Sequence, residues 1–192
     1  MQNKGKHGLH NSVQIQGGIW RGRRISFVPT VGVRPTKSIV KETLMNWLRP
    51  RLSGMRCLDL FSGSGSLAFE LLSQGANSVC CLDMSRANCE ELKRNAGLLG
   101  ANNIAVYPWS YPNPLPIEAK GEYDLILVDA PFGKGWEVEI LQKIYTERLL
   151  KRNGLIYLEL STRTDWPEDS NIQIVKQKKS GGVQYGLYTQ AE

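Results

Sequence analysis

The sequence predicts an α/β fold: a mostly parallel sheet with helices between its strands and an antiparallel hairpin at its C-terminal edge. Three observations carry this. From residue 55 onward, short apolar segments alternate with helical ones, the order that builds a parallel sheet. Residues 123–130 (YDLILVDA) are apolar without alternation, as a strand buried on both faces must be. Beyond residue 170, two β-type segments flank Gly181-Gly182 with no helix between them, so they pair antiparallel.

Element by element, residues 1–12 are a polar basic tail expected to fray. Residues 13–28 read as two short strands, with Gly17-Gly18 or Arg21-Gly22 as the turn. Thr36 is the expected N-cap of a helix reaching Leu48, whose apolar face is Ile39, Val40, Thr43, Leu44, Trp47 and Leu48. Pro50 ends it. These parts form a predicted extension over residues 13–54, followed by the main domain over residues 55–192. In that domain, strands are expected at 55–61, 78–84, 103–109, 123–130 and 154–161, then 171–179 and 184–190. Helices are expected at 66–74, at 86–99 behind a Ser85 cap, and at 137–150.

Composition narrows the function classes. The chain has 192 residues, 41% hydrophobic and 22% charged, enough for a core and short of two ordinary domains. No apolar run approaches the roughly 20 residues of a membrane span. No apolar h-region follows the basic N-terminus, so no secretory signal is expected. The four cysteines make no CxxC pair and read as core thiols, which suits a cytoplasmic protein without a metal site. The net charge of +6 is uneven: residues 1–51 carry +9 and the rest −3. A basic run usually marks a solvated segment. Here Arg21, Arg23 and Arg24 are interleaved with glycine beside Trp20, a pattern that favours binding a polyanion such as RNA.

Three strand ends carry chemistry. After the first main-domain strand comes Asp59-Leu60-Phe61-Ser62-Gly63-Ser64-Gly65, a turn whose glycines let backbone approach a ligand at a helix N-terminus. A carboxylate at Asp59 would repel a pyrophosphate and pair with an ammonium. No nearby residue suits hydride transfer, so S-adenosylmethionine (SAM) fits better than a nicotinamide cofactor. Asp83, 24 residues on, ends the next strand beside Met84, where open α/β sheets bind ribose hydroxyls. Asp129-Ala130-Pro131-Phe132 follows the most apolar strand and borders the same crevice. This tetrapeptide resembles the [DNS]-P-P-[FYW] motif of methyltransferases that modify exocyclic amines. The resemblance implies a carboxylate and a backbone carbonyl that accept the amine's N–H groups and localise its lone pair, with Phe132 stacking on a base turned out of its helix.

These blocks resemble the RsmD-type 16S ribosomal RNA guanine-N2 methyltransferases of bacteria. The resemblance spans about residues 14–190. It rests on the segment from Gly17 to Arg24, on Arg34-Pro35-Thr36, on residues 41–48 (KETLMNWL), on residues 58–67 (LDLFSGSGSL), on Glu70-Leu71-Leu72-Ser73 and on Asp129-Ala130-Pro131-Phe132. Ala130 stands where the related [DNS]-P-P-[FYW] pattern has its first proline. The resemblance implies a class I SAM-dependent methyltransferase fold of Rossmann-like type. It implies SAM as donor, no metal, and 16S rRNA in a small ribosomal subunit or assembly intermediate as substrate. Asp59, Gly63 and Gly65 would then cradle the methionine part of the donor, Asp83 its ribose, and Ser110 or Trp109 its adenine, with Phe61 and Met84 also among the donor's contacts. Arg34 and Thr36 would lie near donor or target, and Asp129, Ala130, Pro131 and Phe132 would hold the guanine amine. A monomer is expected. Two alternatives stay open: the same tetrapeptide serving adenine N6 or a glutamine amide, and a SAM- and RNA-binding assembly factor with little catalysis.

Overall fold

In the computed structural model of the chain, residues 11–29, 36–167 and 171–191 are described. β3 (Arg56–Asp59) pairs in parallel with β4 (Ser78–Asp83) on one side and with β6 (Tyr123–Val128) on the other. β5 (Ile104–Pro108) adds to β4, and β7 (Leu150–Ser161) adds to β6, both in parallel. β9 (Val183–Gln190) runs antiparallel to β7 and to the outermost strand, β8 (Ile172–Ser180). The seven strands therefore lie in the order β5-β4-β3-β6-β7-β9-β8. The chain builds outward from β3 and then returns to its other side, which opens a crevice between β3 and β6 at their carboxyl ends.

Helices α1 (Ser38–Leu48), α2 (Ser66–Ser73), α3 (Arg86–Leu99) and α4 (Glu137–Thr146) cover the sheet. Each apolar strand divides its residues between two cores, because successive side chains point to opposite faces. Cys57, Leu125, Leu127, Tyr157 and Tyr185 pack with Val40, Leu44 and Phe69. Leu58, Ile126, Val128, Ile156 and Leu158 pack with Ile140 and Ile144. All four cysteines are buried and free. Among the described residues no helix is long and apolar enough to cross a membrane.

The N-terminal hairpin forms from β1 (Asn11–Gln14) and β2 (Arg24–Phe27), beginning two residues ahead of the expected Val13. Both expected turns are used: a 3-10 turn at Gly18–Trp20, then Gly22, whose N–H donates to the Ile15 carbonyl at 2.9 Å. Gly18 has φ 74°, and a Cβ there would lie 1.7 Å from the Ser73 carbonyl oxygen. The hairpin can press this closely on α2 only with glycine at that point. Trp20 joins the core, as does part of Trp47.

The larger departures from expectation lie in α1, α4 and β7. Thr36 does not cap α1, which begins at Ser38 with Lys37 at its cap and no side-chain cap bond. The helix is also rotated: Ile39 is 48% exposed, whereas Lys41 is 1% exposed. Lys41 is drawn inward by Glu70 at 3.7 Å and by the Gln14 carbonyl at 3.1 Å. Downstream, α4 stops at Thr146 because Arg148 turns left-handed (φ 51°), and β7 starts four residues early at Leu150.

Candidate active site

The loop after β3 is built to approach a ligand. The Ser62 N–H donates to the Leu82 carbonyl at 2.9 Å and the Gly65 N–H to the Ser62 carbonyl at 2.7 Å, which folds the segment tightly over the strand ends. Gly65 caps α2 at φ 74°. A Cβ there would fall 2.3 Å from Leu92 Cδ2 and 2.9 Å from Phe69 Cε2. Gly63 donates its N–H to Asp83 Oδ2 at 2.7 Å. Asp83 also accepts from the Ser85 N–H at 2.8 Å and the Asn88 amide at 3.1 Å. Its carboxylate thus ties the β3 loop to the start of α3. Burial raises its pKa, and these three bonds oppose the rise. With about four lone-pair sites on a carboxylate, one is left for a ligand hydroxyl.

Asp59, the last residue of β3, is 2% exposed. Burial pushes its carboxyl up to about 7, against the Phe61 N–H and Ser62 and with help from the Asp83 charge. Ser66, next to the Gly65 cap, has a buried hydroxyl that accepts no hydrogen bond and donates none among the described residues. A cationic amino group would relieve Asp59, and a ligand acceptor would relieve Ser66. The residues present therefore fit the amino-acid portion of SAM.

Across the crevice, Asp129 follows β6, half-buried, and Ala130 is buried. Pro131 is exposed and Phe132 keeps 47% of its surface open. Val128 pairs with Leu158, so Asp129 comes beside Glu159 of β7. Glu159 is 7% exposed and accepts from the Tyr157 hydroxyl at 2.8 Å. Asp59, Asp129 and Glu159 sit on three adjacent strands, at positions that share one face. Burial first, then the Glu159 and Asp59 charges, hold the Asp129 carboxyl well above the ordinary carboxylate range. Burial likewise raises Glu159, opposed by the Tyr157 hydroxyl and by Lys37. Carboxyls raised in this way exchange protons nearer neutrality, as acid–base groups must.

The third-strand loop corrects one alternative. Trp109 is 6% exposed, and its indole N–H donates to the carbonyls of Asn113 (3.0 Å) and Pro114 (3.2 Å). Its ring packs on Phe61 and Tyr111, so it is not presented for stacking on an adenine. Ser110 is half-buried beside it, and Met84 is 72% exposed at the mouth. Phe61 instead lies stacked on Trp136 at 6.3 Å, and Trp136 meets Tyr111 at 5.0 Å. The Tyr111 hydroxyl donates to Glu139 at 2.7 Å.

The expected RNA arginines lie elsewhere. Arg21, Arg23 and Arg24 are exposed. Arg23 donates to the Leu98 carbonyl in the last turn of α3 at 2.8 Å, and Arg24 to Ser12 Oγ at 2.8 Å. A helix returning from a parallel strand ends at the amino edge of the sheet, so these residues stand at the end opposite Asp129. Thr36 is half-buried just ahead of α1, and Arg34 lies outside the described residues.

Sequence reasoning missed Glu159 and Trp136. For Glu159 a signal existed: it is the one acid in residues 154–161 (GLIYLELS), a segment otherwise apolar enough to be buried. Trp136, four residues after Phe132, carried no distinguishing signal.

Comparison with known proteins agrees with this fold. A family model described as conserved hypothetical protein 95 matches residues 13–189. The chain is 35% identical over 188 residues to ribosomal RNA small subunit methyltransferase D of Escherichia coli strain K12, covering 96% of this chain and 93% of that protein. It is 34% identical over 184 residues to the protein of the same name from Haemophilus influenzae, covering 92% and 93%. Of solved structures, a putative methyltransferase from Escherichia coli superposes with a TM-score of 0.83 at 34% identity, covering 95% of this chain and 99% of that one. A putative methylase from Haemophilus influenzae gives 0.78 at 32% identity, covering 95% and 100%. The fold is that of class I SAM-dependent methyltransferases.

Proposed function

We propose that this chain, which belongs to the RsmD family described as conserved hypothetical protein 95, methylates the exocyclic N2 of a guanine in small-subunit rRNA. The observation that carries the reading is the Asp129 carboxyl. It is crowded by Asp59 and Glu159 at the switch-point crevice and is followed by a buried alanine and an exposed phenylalanine. The names of the relatives support rRNA as substrate class.

When bound, SAM supplies an activated methyl group on a sulfonium, so the protein need only position the reactants. Asp59 would pair with the donor's ammonium, while the Gly63–Gly65 backbone and the Ser66 hydroxyl would meet its carboxylate. Asp83 would use its remaining lone pair on a ribose hydroxyl, and Phe61, Met84 and Ser110 would border the adenine. Asp129 and the Ala130 carbonyl would accept the two N–H groups of the guanine amine, turning its lone pair toward the methyl. Phe132 would stack on the base. Asp129 would take the proton that leaves the guanine nitrogen as it accepts the methyl group in place of the donor's sulfur. Its raised pKa makes its ionised form the stronger base for this step.

In this reading residues 13–54 are an extension on the methyltransferase body of residues 55–192. Its support is the hairpin's docking: Gln16 and Gly17 donate N–H groups to Glu70, and Ser26 and Asn95 bond reciprocally.

The test is tritiated methyl transfer from SAM to small subunits and to naked 16S rRNA, both from a strain lacking the enzyme. Label that digests to N2-methylguanosine is expected. Label in N6-methyladenosine or in protein would contradict the reading.

A further inference from the structure

β8 is the outer edge of the sheet and is exposed along almost its whole length. It carries Lys176, Lys178 and Lys179 and no acid. Three other lysines have carboxylate neighbours, Lys93 with Glu90, Lys143 with Glu147 and Lys151 with Asp124, whereas the exposed Lys120 and Lys134 stand singly and apart from each other in the chain. Among the described residues no ion pair joins a β8 lysine to an acid.

The position of this strand matters more than its charge. Glu159 pairs with Tyr185, and Tyr185 pairs on its other side with Lys178. At about 4.8 Å per strand, Lys178 stands roughly 10 Å from Glu159 and roughly 14 Å from the Asp129 position. Lys176 follows on the same face about 7 Å further along the strand. Lys37, the residue before α1, joins the row at the site end: its Nζ lies 3.0 Å from where a Cβ on Gly181 would be. Arg21, Arg23 and Arg24 sit at the other end of the sheet, a strand length or roughly 20 Å away.

Lysines on an edge strand also deter sheet-to-sheet pairing. That role needs charge only on the strand. It does not explain why Lys37, just ahead of α1, brings a further cation to the β8–β9 turn, where it also faces Glu159. We infer that Lys37, Lys176, Lys178 and Lys179 form a phosphate-binding edge that holds the RNA backbone flanking the target base, a surface that rests on the rRNA reading above. The exposed Ile174 and Val175 continue the same edge away from the site.

The test compares K176Q/K178Q/K179Q with R21Q/R23Q/R24Q in binding a 16S rRNA transcript across a salt series. The lysine variant should lower the slope of log affinity against log salt by about two, given roughly 0.7 per single-strand phosphate contact. The corresponding lysine-to-arginine variant should restore it. SAM should still raise the melting temperature of both variants, which reports an intact fold. A lysine variant with the wild-type slope would overturn the inference, whatever the arginine variant does. Methyl transfer by the wild type is scored separately. If it yields no N2-methylguanosine while the lysine-dependent slope persists, the guanine reading falls and the surface stands.

Discussion

Asp124 and Asp129 lie at opposite ends of β6, and the molecule treats them in opposite ways. Asp124, at the amino end, accepts the Arg56 backbone N–H at 2.8 Å and the Lys151 amine at 2.9 and 3.0 Å. Burial alone would raise its pKa, but these partners hold it below the ordinary carboxylate range. Among the described residues the Asp129 carboxylate accepts no hydrogen bond from the protein, and burial with two neighbouring acids raises its pKa instead.

The same contrast runs along both edges of the sheet. At the amino edge, Glu70 is 0% exposed yet takes N–H groups from Gln16 and Gly17, the Gln74 amide and the Lys41 charge. At the carboxyl edge, three acids crowd one another, and Lys37 opposes the rise only at Glu159. Structural charges arrive with partners supplied by the chain. Charges that await a ligand are left desolvated and incompletely paired, and that difference marks the reactive end.

The largest effect on stability should come from breaking the saturated end. Glu70→Ala would strand the buried Lys41 ammonium and two hairpin N–H groups, for a loss of about 3–5 kcal/mol in a denaturant melt. A loss under about 1 kcal/mol would mean that the pair is not a structural lock.

Gly65→Ala comes next and acts on the other end. Its Cβ would collide with Leu92 and Phe69 at a left-handed φ. A cost of about 1–3 kcal/mol is expected, together with loss of SAM-induced thermal stabilisation. Retained SAM binding would remove the loop from the donor site.

Asp59 sharpens the contrast through pH. Its folded pKa of about 7 lies above its unfolded value near 4. Its contribution to stability is therefore full below pH 4 and lost as pH rises through 7. Asp59→Asn should lessen the fall in melting temperature of the ligand-free protein across that window, leaving the part that the raised Asp83, Asp129 and Glu159 contribute. In the wild type, SAM stabilisation should grow over the same range, as the carboxylate ionises to meet the ammonium. A wild-type profile already flat between pH 4 and 7 would contradict the assignment.

Asp124→Asn should be the mildest change, about 0.5–1 kcal/mol, because its Lys151 partner is 42% exposed. Its pKa is depressed, so the contribution it loses is one present at neutral pH and lost as pH falls below about 4.

Much of this was legible in the sequence. Apolar strand segments, the glycine turn and Asp129-Ala130-Pro131-Phe132 are local patterns, and the structure places Asp59, Asp83 and Asp129 at the ends of neighbouring strands. What was not legible depends on tertiary pairing. Lys41 reads as a surface residue of an amphipathic helix until Glu70 is brought to it by a different element. Arg21, Arg23 and Arg24 carry charge that any reading of composition will notice. Nothing local says that their hairpin docks on the C-terminal turns of α2 and α3, away from the crevice. The β8 lysines are fewer and later in the chain, and only strand order brings them near Asp129.

The central claim is that the two ends of β6 divide stability from chemistry. It is tested most directly by single-turnover methyl transfer to small-subunit rRNA with Asp129→Asn and Asp124→Asn side by side. Asp129→Asn should fold as the wild type does and lose at least about 100-fold in rate. Asp124→Asn should melt earlier and transfer at a rate near the wild type. Comparable rates from the two variants, or the larger loss at Asp124, would contradict the account.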